Sequence, residues 1–338
     1  MAFPKQTRRV FLSENPQGYI TEATFKSETI DLPTPDVEQV IVRVDYLSLD
    51  PAMRVWLNNN VTYVPPVQVG ETMRGGGVGT VVYGNDRIKT GDMVYGTLGW
   101  ADYIVASAQT LRKLEPPEGF AALDYLGPLG TTGMTAYFGL LEVGKLKSGE
   151  TLVVSAAAGA VGSLVCQMGK IKGARVIAIA SGPKCAWLTN DLGVNAALDY
   201  KSPNFANEFG EVVGGLDVFF DNVGGEILDL ALTRLNKGAR VVLCGTISTY
   251  NNVGLSDSKG IKNYSSLIIQ RAEIRGFVVY DYRKQYEAAE ANIIKWIRDG
   301  KLKCQYQIER GLERCPQHFG LLFSSGNTGK LVVKVSNE

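Results

Sequence analysis

Hydrophobic residues follow two different patterns along the chain. Over the first ~125 residues, short β-branched and aromatic runs are broken by Pro and Gly, and they predict strands over residues 37–46, 75–83 and 93–105. Beyond the Pro-Pro-Glu-Gly stretch at 116–119, short apolar runs alternate with helix-length segments. This alternation predicts six parallel strands, over residues 151–154, 175–180, 196–199, 216–222, 240–246 and 274–279.

The end of the chain returns to the strand pattern of its beginning. An amphipathic stretch over residues 286–298 stops at Gly300, and residues 303–308 and 330–335 again have the composition of strands. We therefore expect an N-terminal β-rich domain formed by residues 1–125 plus 303–338, and an α/β domain with a doubly wound parallel sheet formed by residues 126–302.

The stretch at residues 151–163, TLVVSAAAGAVGS, is typical of a buried strand, a tight turn of small residues and the start of a helix. Ala157, Gly159 and Gly162 stand at the spacing of a dinucleotide fingerprint whose first glycine is alanine. Ala157 would allow the sharp turn, Gly159 the approach of a pyrophosphate, and Gly162 the close packing of helix on strand. The same triplet also occurs in ordinary buried helix starts, but the second strand at 175–180 completes a βαβ unit of ~30 residues, which favours a Rossmann domain.

The residues after that second strand indicate which dinucleotide binds. Sites that prefer NAD place Asp or Glu there to hold the ribose hydroxyls, whereas residues 179–184 contain no acid. The ammonium of Lys184 and the hydroxyl of Ser181 would attract a 2′-phosphate, so the sequence favours NADPH as the cofactor. The alternative is that Lys184 is a solvated lysine at the start of the next helix.

Composition narrows the function classes. The sequence has 35 Lys and Arg against 34 Asp and Glu, which gives no basic field for nucleic acid or for an anionic membrane. The five cysteines are odd in number and scattered, which favours thiols in a reducing compartment. The N-terminus lacks the apolar core of a secretory signal, and the uncharged stretch 151–169 contains glycines and changes from strand to helix pattern, so we expect a cytoplasmic protein without a membrane span.

Several collinear motifs resemble the zinc-independent branch of the medium-chain dehydrogenase/reductase superfamily, in particular the alkenal double-bond reductases that include prostaglandin reductases and curcumin reductase. The matching stretches are residues 48–54 (SLDPAMR), 130–137 (GTTGMTAY), 156–163 (AAAGAVGS), 221–225 (DNVGG), 244–251 (CGTISTYN) and 276–279 (GFVV). The resemblance covers nearly the whole chain. It implies a chaperonin-10-like β domain joined to a Rossmann domain, an active site in the cleft between them, and a homodimer.

The resemblance also implies a set of cofactor contacts. Residues of the turn would hold the pyrophosphate, residues after the second and third strands the 2′-phosphate, and residues after the later strands the ribose and nicotinamide. The implied contacts are Ala158, Gly159, Ala160, Val161, Gly162, Ser181, Lys184, Tyr200, Asn222, Cys244, Gly245, Thr246, Ile247, Ser248, Tyr250, Phe277, Val278, Val279 and Asn327. Three of them have structural alternatives: the 221–225 stretch as a strand-terminating turn, Tyr200 as a core edge, and Asn327 as a turn residue.

Ligands for a catalytic metal are scarce in this sequence. Zinc takes about four S, N or O ligands, but the single histidine, His318, lies beyond the Rossmann half and no Cys-x-x-Cys pair occurs. Without a Lewis acid, alcohol oxidation is disfavoured, and hydride addition to an activated C=C bond is favoured. We therefore expect no metal, a small α,β-unsaturated carbonyl substrate, and reduction of its double bond. A quinone reductase and a non-enzymatic NADPH-binding protein are the alternatives.

The sequence departs from the family where the proton donor is expected. The family tyrosine before the Gly-Phe-Val-Val strand corresponds to Ile269, and a second motif tyrosine corresponds to Ala52. The catalytic residue is therefore unknown. The candidate donors are Tyr46, Tyr63, Tyr250, Tyr264 and Tyr280, and the residues expected to shape the substrate pocket are Tyr46, Ala52, Met53, Arg54 and Ile269.

Overall fold

The computed structural model describes residues 3–58, 62–252 and 260–335. The chain divides into two compact units. The first, the β-rich unit, contains Met1–Leu126, Tyr306–Asn327 and Leu331–Glu338. The second, the Rossmann unit, contains Gly127–Gln305 and Thr328–Lys330.

The β-rich unit is built from antiparallel strands. Its strands are β1 (Gln6–Leu12), β2 (Phe25–Asp31), β3 (Gln39–Ser48), β4 (Gly76–Tyr83), β5 (Met93–Thr97), β6 (Tyr103–Ser107), β7 (Arg112–Lys113), β14 (Tyr306–Arg310) and β15 (Lys330–Lys334). Strands β1 and β2 form a separate pair, and the others form a seven-stranded sheet in the order β14-β15-β3-β4-β5-β7, with β6 also paired to β3. The short helix α8 of this unit spans Cys315–Gly320. The buried core includes Val42, Leu47, Trp100 and Phe319.

The predicted extent of one strand in this unit is wrong. The sequence predicts a continuous strand over residues 93–105, but β5 ends at Thr97 and β6 begins at Tyr103. Gly99 has a φ of 69°, and the N–H groups of Leu98 and Gly99 both donate to the Gly75 carbonyl, at 3.0 and 3.1 Å. The chain turns here because the Trp100 side chain is inserted into the core, where it is fully buried.

The Rossmann unit contains one parallel sheet of six strands, as the sequence predicts. The strands are β8 (Thr151–Val154), β9 (Arg175–Ala180), β10 (Ala196–Asp199), β11 (Leu216–Asp221), β12 (Leu235–Leu243) and β13 (Glu273–Gly276). Their order, β10-β9-β8-β11-β12-β13, is that of a doubly wound fold in which the direction of winding reverses between β8 and β11. This arrangement and the β-rich unit confirm the predicted fold class.

Five helices connect these strands: α2 (Ala160–Ile171), α3 (Gly182–Asn190), α4 (Phe205–Val213), α5 (Gly225–Leu232) and α6 (Ser265–Gln270). Helix α1 (Thr131–Phe138) precedes the first strand, and α7 (Tyr286–Arg298) follows the last one. Strands β8, β9 and β11 are almost wholly buried, which explains their continuous apolar runs, because parallel strands are covered on both faces. In the part of the chain that the structure describes, no helix is long and apolar enough to cross a membrane.

Candidate functional site

Loops from the carboxyl ends of β8, β11 and β12 meet at one edge of the Rossmann sheet. Because β8 and β11 are hydrogen-bonded neighbours and the winding reverses between them, their loops diverge to opposite faces and leave a crevice. Doubly wound proteins bind ligands at such a crevice. The residues that the sequence predicts for the pyrophosphate follow β8 directly.

The turn after β8 has the geometry of a phosphate-binding turn. Gly159 is the N-cap of α2 and no side chain caps this helix start, so its first N–H groups are available to an anion. A Cβ at Gly162 would lie 2.4 Å from the Ala156 carbonyl oxygen, which explains why only glycine lets the helix pack this closely. The sequence assigns the sharp turn to Ala157, but the residue with a positive φ, 47°, is Ala156.

A segment near the end of the chain also contacts this turn. The Gly329 N–H donates to the Ala158 carbonyl at 2.8 Å, and Gly159 and Gly329 form a parallel bridge. Gly329 has a φ of 68°, and a Cβ there would lie 2.2 Å from the Gln305 carbonyl oxygen. Sequence reasoning missed this contact, although the Ser-Gly-Asn-Thr-Gly turn signal at 325–329 marked the place.

Two lysines lie near each other after β9 and β10. Lys184, in the first turn of α3, is half-buried, and its pKa is lowered by desolvation and then by the positive charge of Lys201. Two ammonium groups that repel each other favour an anionic ligand between them, and a 2′-phosphate is such a ligand. Lys201 was missed by the sequence reasoning, which stopped at the adjacent Tyr200. Ser181 is the buried N-cap residue of α3.

One acidic group lies at the same helix start. The Asp199 carboxylate accepts the Lys201 N–H at 2.9 Å, and a Cβ at Gly182 would lie 2.5 Å from Asp199 Oδ2. The sequence predicts no acid after β9, and none is there. Asp199 comes instead from the end of β10.

The loops after β11 and β12 are hydrogen-bonded to each other. Asn222, predicted to contact the cofactor, donates its Nδ2 to the Ser155 carbonyl at 2.7 Å. In the loop 244–250, Ser248 Oγ donates to the Val223 carbonyl at 2.5 Å, and Tyr250 Oη accepts the Thr246 N–H at 3.3 Å. The predicted contacts Cys244, Gly245, Thr246, Ile247, Ser248 and Tyr250 therefore form one packed loop beside Asn222.

The segment 277–279, which follows β13, contacts other residues of the same unit. Tyr286 Oη donates to the Val279 carbonyl at 3.1 Å. A Cβ at Gly139 would lie 2.7 Å from the rings of Phe277 and Phe220, so glycine is required where α1 ends. These contacts hold the Val279 carbonyl and the Phe277 ring, at the two ends of the segment that is predicted to bind the carboxamide.

The predicted residues of the β-rich unit occupy different surroundings. Met53 and Arg54 are buried, and Arg54 donates to the Gly18 carbonyl through Nη2 at 2.6 Å and to Asn58 Oδ1 at 2.6 Å. Tyr46 lines a cavity of about 200 Å³ with Arg43, Asp45, Val78, Gly79, Met93, Ala122 and Lys334. Ala52 is half-buried, and Asn327 ends the Tyr306–Asn327 part of this unit. Their roles at a substrate or cofactor site stay predictions.

The remaining tyrosines and Ile269 differ in exposure. Tyr63 and Tyr264 are 55% and 62% exposed, and Tyr280 is half-buried with the Arg283 guanidinium over its ring. Ile269 is 63% exposed on α6. Ile269 as a substrate-pocket residue and each tyrosine as a donor stay predictions.

Metal-ligating side chains are not clustered within residues 3–58, 62–252 and 260–335, where no three His, Cys, Asp or Glu residues could hold an ion together. The single histidine, His318, lies in the β-rich unit, with Nε2 3.3 Å from the Arg310 carbonyl oxygen and Nδ1 3.7 Å from Glu309. Burial, and then the charge of Asp221, raise the pKa of the Cys244 thiol to about 12, which disfavours its thiolate form at neutral pH.

Comparison with known proteins places this geometry in a family. Residues 8–114 match a family model described as the N-terminal domain of oxidoreductase, and residues 160–295 match one described as zinc-binding dehydrogenase. The chain is 37% identical over 340 residues to the NADPH-dependent curcumin reductase of Escherichia coli (strain K12), covering 99% of this chain and 98% of that protein.

Two further matches extend over the whole length. The chain is 37% identical over 350 residues to the 2-alkenal reductase (NADP(+)-dependent) of Nicotiana tabacum, covering 100% of both. The crystal structure of CurA in complex with NADPH from Vibrio vulnificus matches with a TM-score of 0.93 and 37% identity, covering 98% of this chain and 100% of that one. The predicted resemblance is thereby confirmed: the chain belongs to the medium-chain dehydrogenase/reductase family, in the branch of the alkenal double-bond reductases.

Proposed function

We propose that the protein reduces the carbon–carbon double bond of α,β-unsaturated aldehydes and ketones and leaves the carbonyl group intact. The observation that carries the proposal is the carboxyl edge of the Rossmann sheet, where a phosphate-binding turn and two lysines fit one phosphorylated dinucleotide. The substrate class is supported by the relatives that are named as a curcumin reductase and a 2-alkenal reductase.

The cofactor is NADPH, and the residues of the chain fit it. The start of α2 after Gly159 would hold the pyrophosphate, because its N–H groups have no side-chain cap. Lys184, with Tyr200 and Lys201 beside it, would hold the 2′-phosphate. The 244–250 loop and the 277–279 segment would hold the ribose and nicotinamide end.

When bound, NADPH supplies a hydride, which in the proposed reaction adds to the β-carbon of the substrate. Hydrogen-bond donors of the chain would stabilise the negative charge that collects on the substrate's carbonyl oxygen, before the α-carbon takes a proton. None of these tasks requires a metal-bound alkoxide. We propose that no metal takes part.

The donors are proposed to be shared rather than concentrated in one residue. Ile269 stands where the family tyrosine would be, and its side chain cannot donate. Tyr250 is fixed within the Rossmann unit by the Thr246 N–H, whereas Tyr264 and Tyr63 are more than half exposed. We propose Tyr250 as one of the shared donors, with water as a further proton source.

A deuterium-labelling experiment tests the reaction. The enzyme is supplied with NADPH carrying deuterium at the transferred position and with an enal or an enone, and the product is analysed by NMR. We expect deuterium only at the β-carbon of a saturated aldehyde or ketone, and solvent hydrogen at the α-carbon. Deuterium at the carbonyl carbon, in an allylic alcohol, would refute the proposal. Parallel assays with quinones and alcohols test the competing substrate classes.

A further inference from the structure

A carboxylate is buried at the point where the direction of winding of the Rossmann sheet reverses. Asp221, the last residue of β11, is 0% exposed. Its strand is hydrogen-bonded to β8 on one side and to β12 on the other. The loops that leave these three strands carry most of the residues proposed to bind the pyrophosphate and the nicotinamide end of NADPH.

The side chain of Asp221 accepts hydrogen bonds from two of these loops. Its Oδ1 accepts Ser155 Oγ at 2.7 Å and the Val223 N–H at 3.0 Å. The Gly224 N–H donates to both carboxylate oxygens, at 3.1 Å to Oδ1 and 3.0 Å to Oδ2. A carboxylate is suited to this place because it only accepts, whereas an amide would bring a donor against one of these N–H groups.

The backbone of Asp221 connects the third loop. Its carbonyl accepts the N–H groups of Cys244 and Gly245, at 2.8 and 3.1 Å. The loops after β8, β11 and β12 are therefore joined through one residue.

Ser155 completes the connection on the side of the phosphate-binding turn. Its Oγ accepts the Asn222 N–H at 2.8 Å while it donates to Asp221, and its carbonyl accepts Asn222 Nδ2 at 2.7 Å. The next residue, Ala156, has a φ of 47°, a left-handed conformation that is unfavourable for a residue with a Cβ. Ser155, which precedes this strained residue, also donates its N–H to the Phe220 carbonyl at 3.1 Å, so four hydrogen bonds hold it in place.

Burial makes this carboxylate costly. Desolvation raises the pKa of Asp221, although the hydrogen bonds from Val223, Ser155 and Gly224 act in the opposite direction. The hydrogen-bond donors around the carboxylate offset this desolvation cost, and in return the carboxylate holds those donors in one arrangement.

We propose that Asp221 is a positioning residue, which acts with Ser155 to hold the 156–161, 222–224 and 244–248 loops in the arrangement that binds the pyrophosphate and nicotinamide end of NADPH. This inference rests on the proposed cofactor. It predicts that the Asp221 carboxylate is unimportant for the adenosine 2′-phosphate end, which is bound by Lys184 after a different strand.

The test compares two ligands in two variants. Asp221→Asn and Ser155→Ala are titrated with NADPH and with adenosine 2′-monophosphate, which lacks the pyrophosphate and the nicotinamide. We expect the NADPH Kd to rise about ten- to a hundredfold in Asp221→Asn, because buried donors of the loops lose their acceptor, and about three- to tenfold in Ser155→Ala. The Kd for adenosine 2′-monophosphate should stay within about twofold.

The chain provides a matched control at the other end of the same strand. Asp217 accepts the Thr151 N–H at 2.8 Å and Asn236 Nδ2 at 2.9 Å, and so joins the β8, β11 and β12 strands away from the loops. Asp217→Asn should lower the melting temperature but should not change the Kd for NADPH relative to the Kd for adenosine 2′-monophosphate. It removes similar hydrogen bonds, but at the end of the strand that is opposite the proposed cofactor loops.

Each result decides the inference. Equal weakening of both ligands in Asp221→Asn, unchanged NADPH binding, or the same ligand-selective loss in Asp217→Asn would overturn it. If Asp221→Asn does not fold, Ser155→Ala decides by the same comparison. A wild-type protein that binds adenosine 2′-monophosphate but not NADPH would instead refute the proposed function.

Discussion

The proposed selectivity for NADPH depends on Lys184, and Lys184→Ala is the variant that tests it. The ammonium is half-buried in the first turn of α3, and its pKa is lowered by desolvation and by Lys201. A bound phosphate opposes both causes, because the anion favours the charged lysine. NADH has no phosphate at this position, so the lysine should distinguish the two cofactors.

The size of the effect follows from the surroundings of each lysine. A hydrogen bond to a charged group contributes about 1.5–3 kcal/mol, so Lys184→Ala should weaken NADPH roughly ten- to a hundredfold. Lys201 is exposed, and an exposed ion pair contributes about 0.2–1 kcal/mol, which limits Lys201→Ala to about fivefold. NADH binding should change by less than about twofold in either variant.

The preference for NADPH over NADH should depend on pH and salt, because it is proposed to come from the charges of Lys184 and Lys201. Because the pKa of Lys184 lies below the ordinary 10.5, the preference for NADPH should decline as the pH rises through this lowered pKa. Lys201→Ala removes one cause of the lowering and should move this decline to higher pH. The contribution of exposed Lys201 should weaken at high salt, where surface charges are screened.

Fluorescence titration of NADPH and NADH gives the required Kd values. The control is Lys172→Ala, which removes the same charge from an exposed position at the C-terminal end of α2, remote from its phosphate-binding start. Equal losses for NADPH and NADH in Lys184→Ala would refute the reasoning, and so would an NADPH-specific loss in the control.

Three further predictions concern metal, proton donors and assembly. Exhaustive chelation should leave the rate of NADPH consumption unchanged, and a bound metal whose removal abolishes turnover would contradict this. Ile269→Tyr should retain activity. Tyr63→Phe and Tyr250→Phe should each reduce kcat by less than the ~10²–10⁴-fold that is typical of losing a general acid. A thousandfold loss of kcat from one tyrosine substitution would exclude shared donors. We also expect a homodimer by sedimentation velocity, and a monomeric wild type would exclude this. Ile268→Lys, which places a charge at a 77% exposed isoleucine on α6, the helix that precedes the edge strand β13, should shift the protein towards monomer.

Much of the Rossmann unit could be predicted because its sequence pattern is repetitive. Apolar runs of strand length alternate with helix-length segments, and that alternation predicts six parallel strands, the number that the sheet contains. The predicted ends of the strands are less accurate than their number. The sequence places one strand at 240–246, whereas β12 spans Leu235–Leu243. Asn236, Lys237 and Gly238 have no apolar pattern, and the strand is irregular there, because Gly238 has a φ of 75° and the pairing with β11 shifts in register.

Features that depend on tertiary contacts could not be predicted from local pattern. The break at Gly99 depends on where the Trp100 ring is buried, and sequence periodicity continues through it. The contact of Gly329 with the phosphate-binding turn joins residues that are more than half the chain apart. Lys201 is one residue beyond the predicted Tyr200, and its relevance follows only from its distance to Lys184.

The two ends of the proposed cofactor site are built on different physical principles, and this explains why the sequence revealed one more readily than the other. At the adenosine end, the proposed recognition depends on charge, and a lysine in place of an acid is visible in the sequence. At the nicotinamide end, residues 244–248 and 277–279 are uncharged, so the proposed recognition depends on the positions of their backbone and polar groups. Those positions depend on hydrogen bonds that reach Asp221 and Tyr286, which are outside the loops themselves. Changes at the lysines should therefore alter the choice between NADPH and NADH, while changes at Asp221 should alter the binding of both dinucleotides.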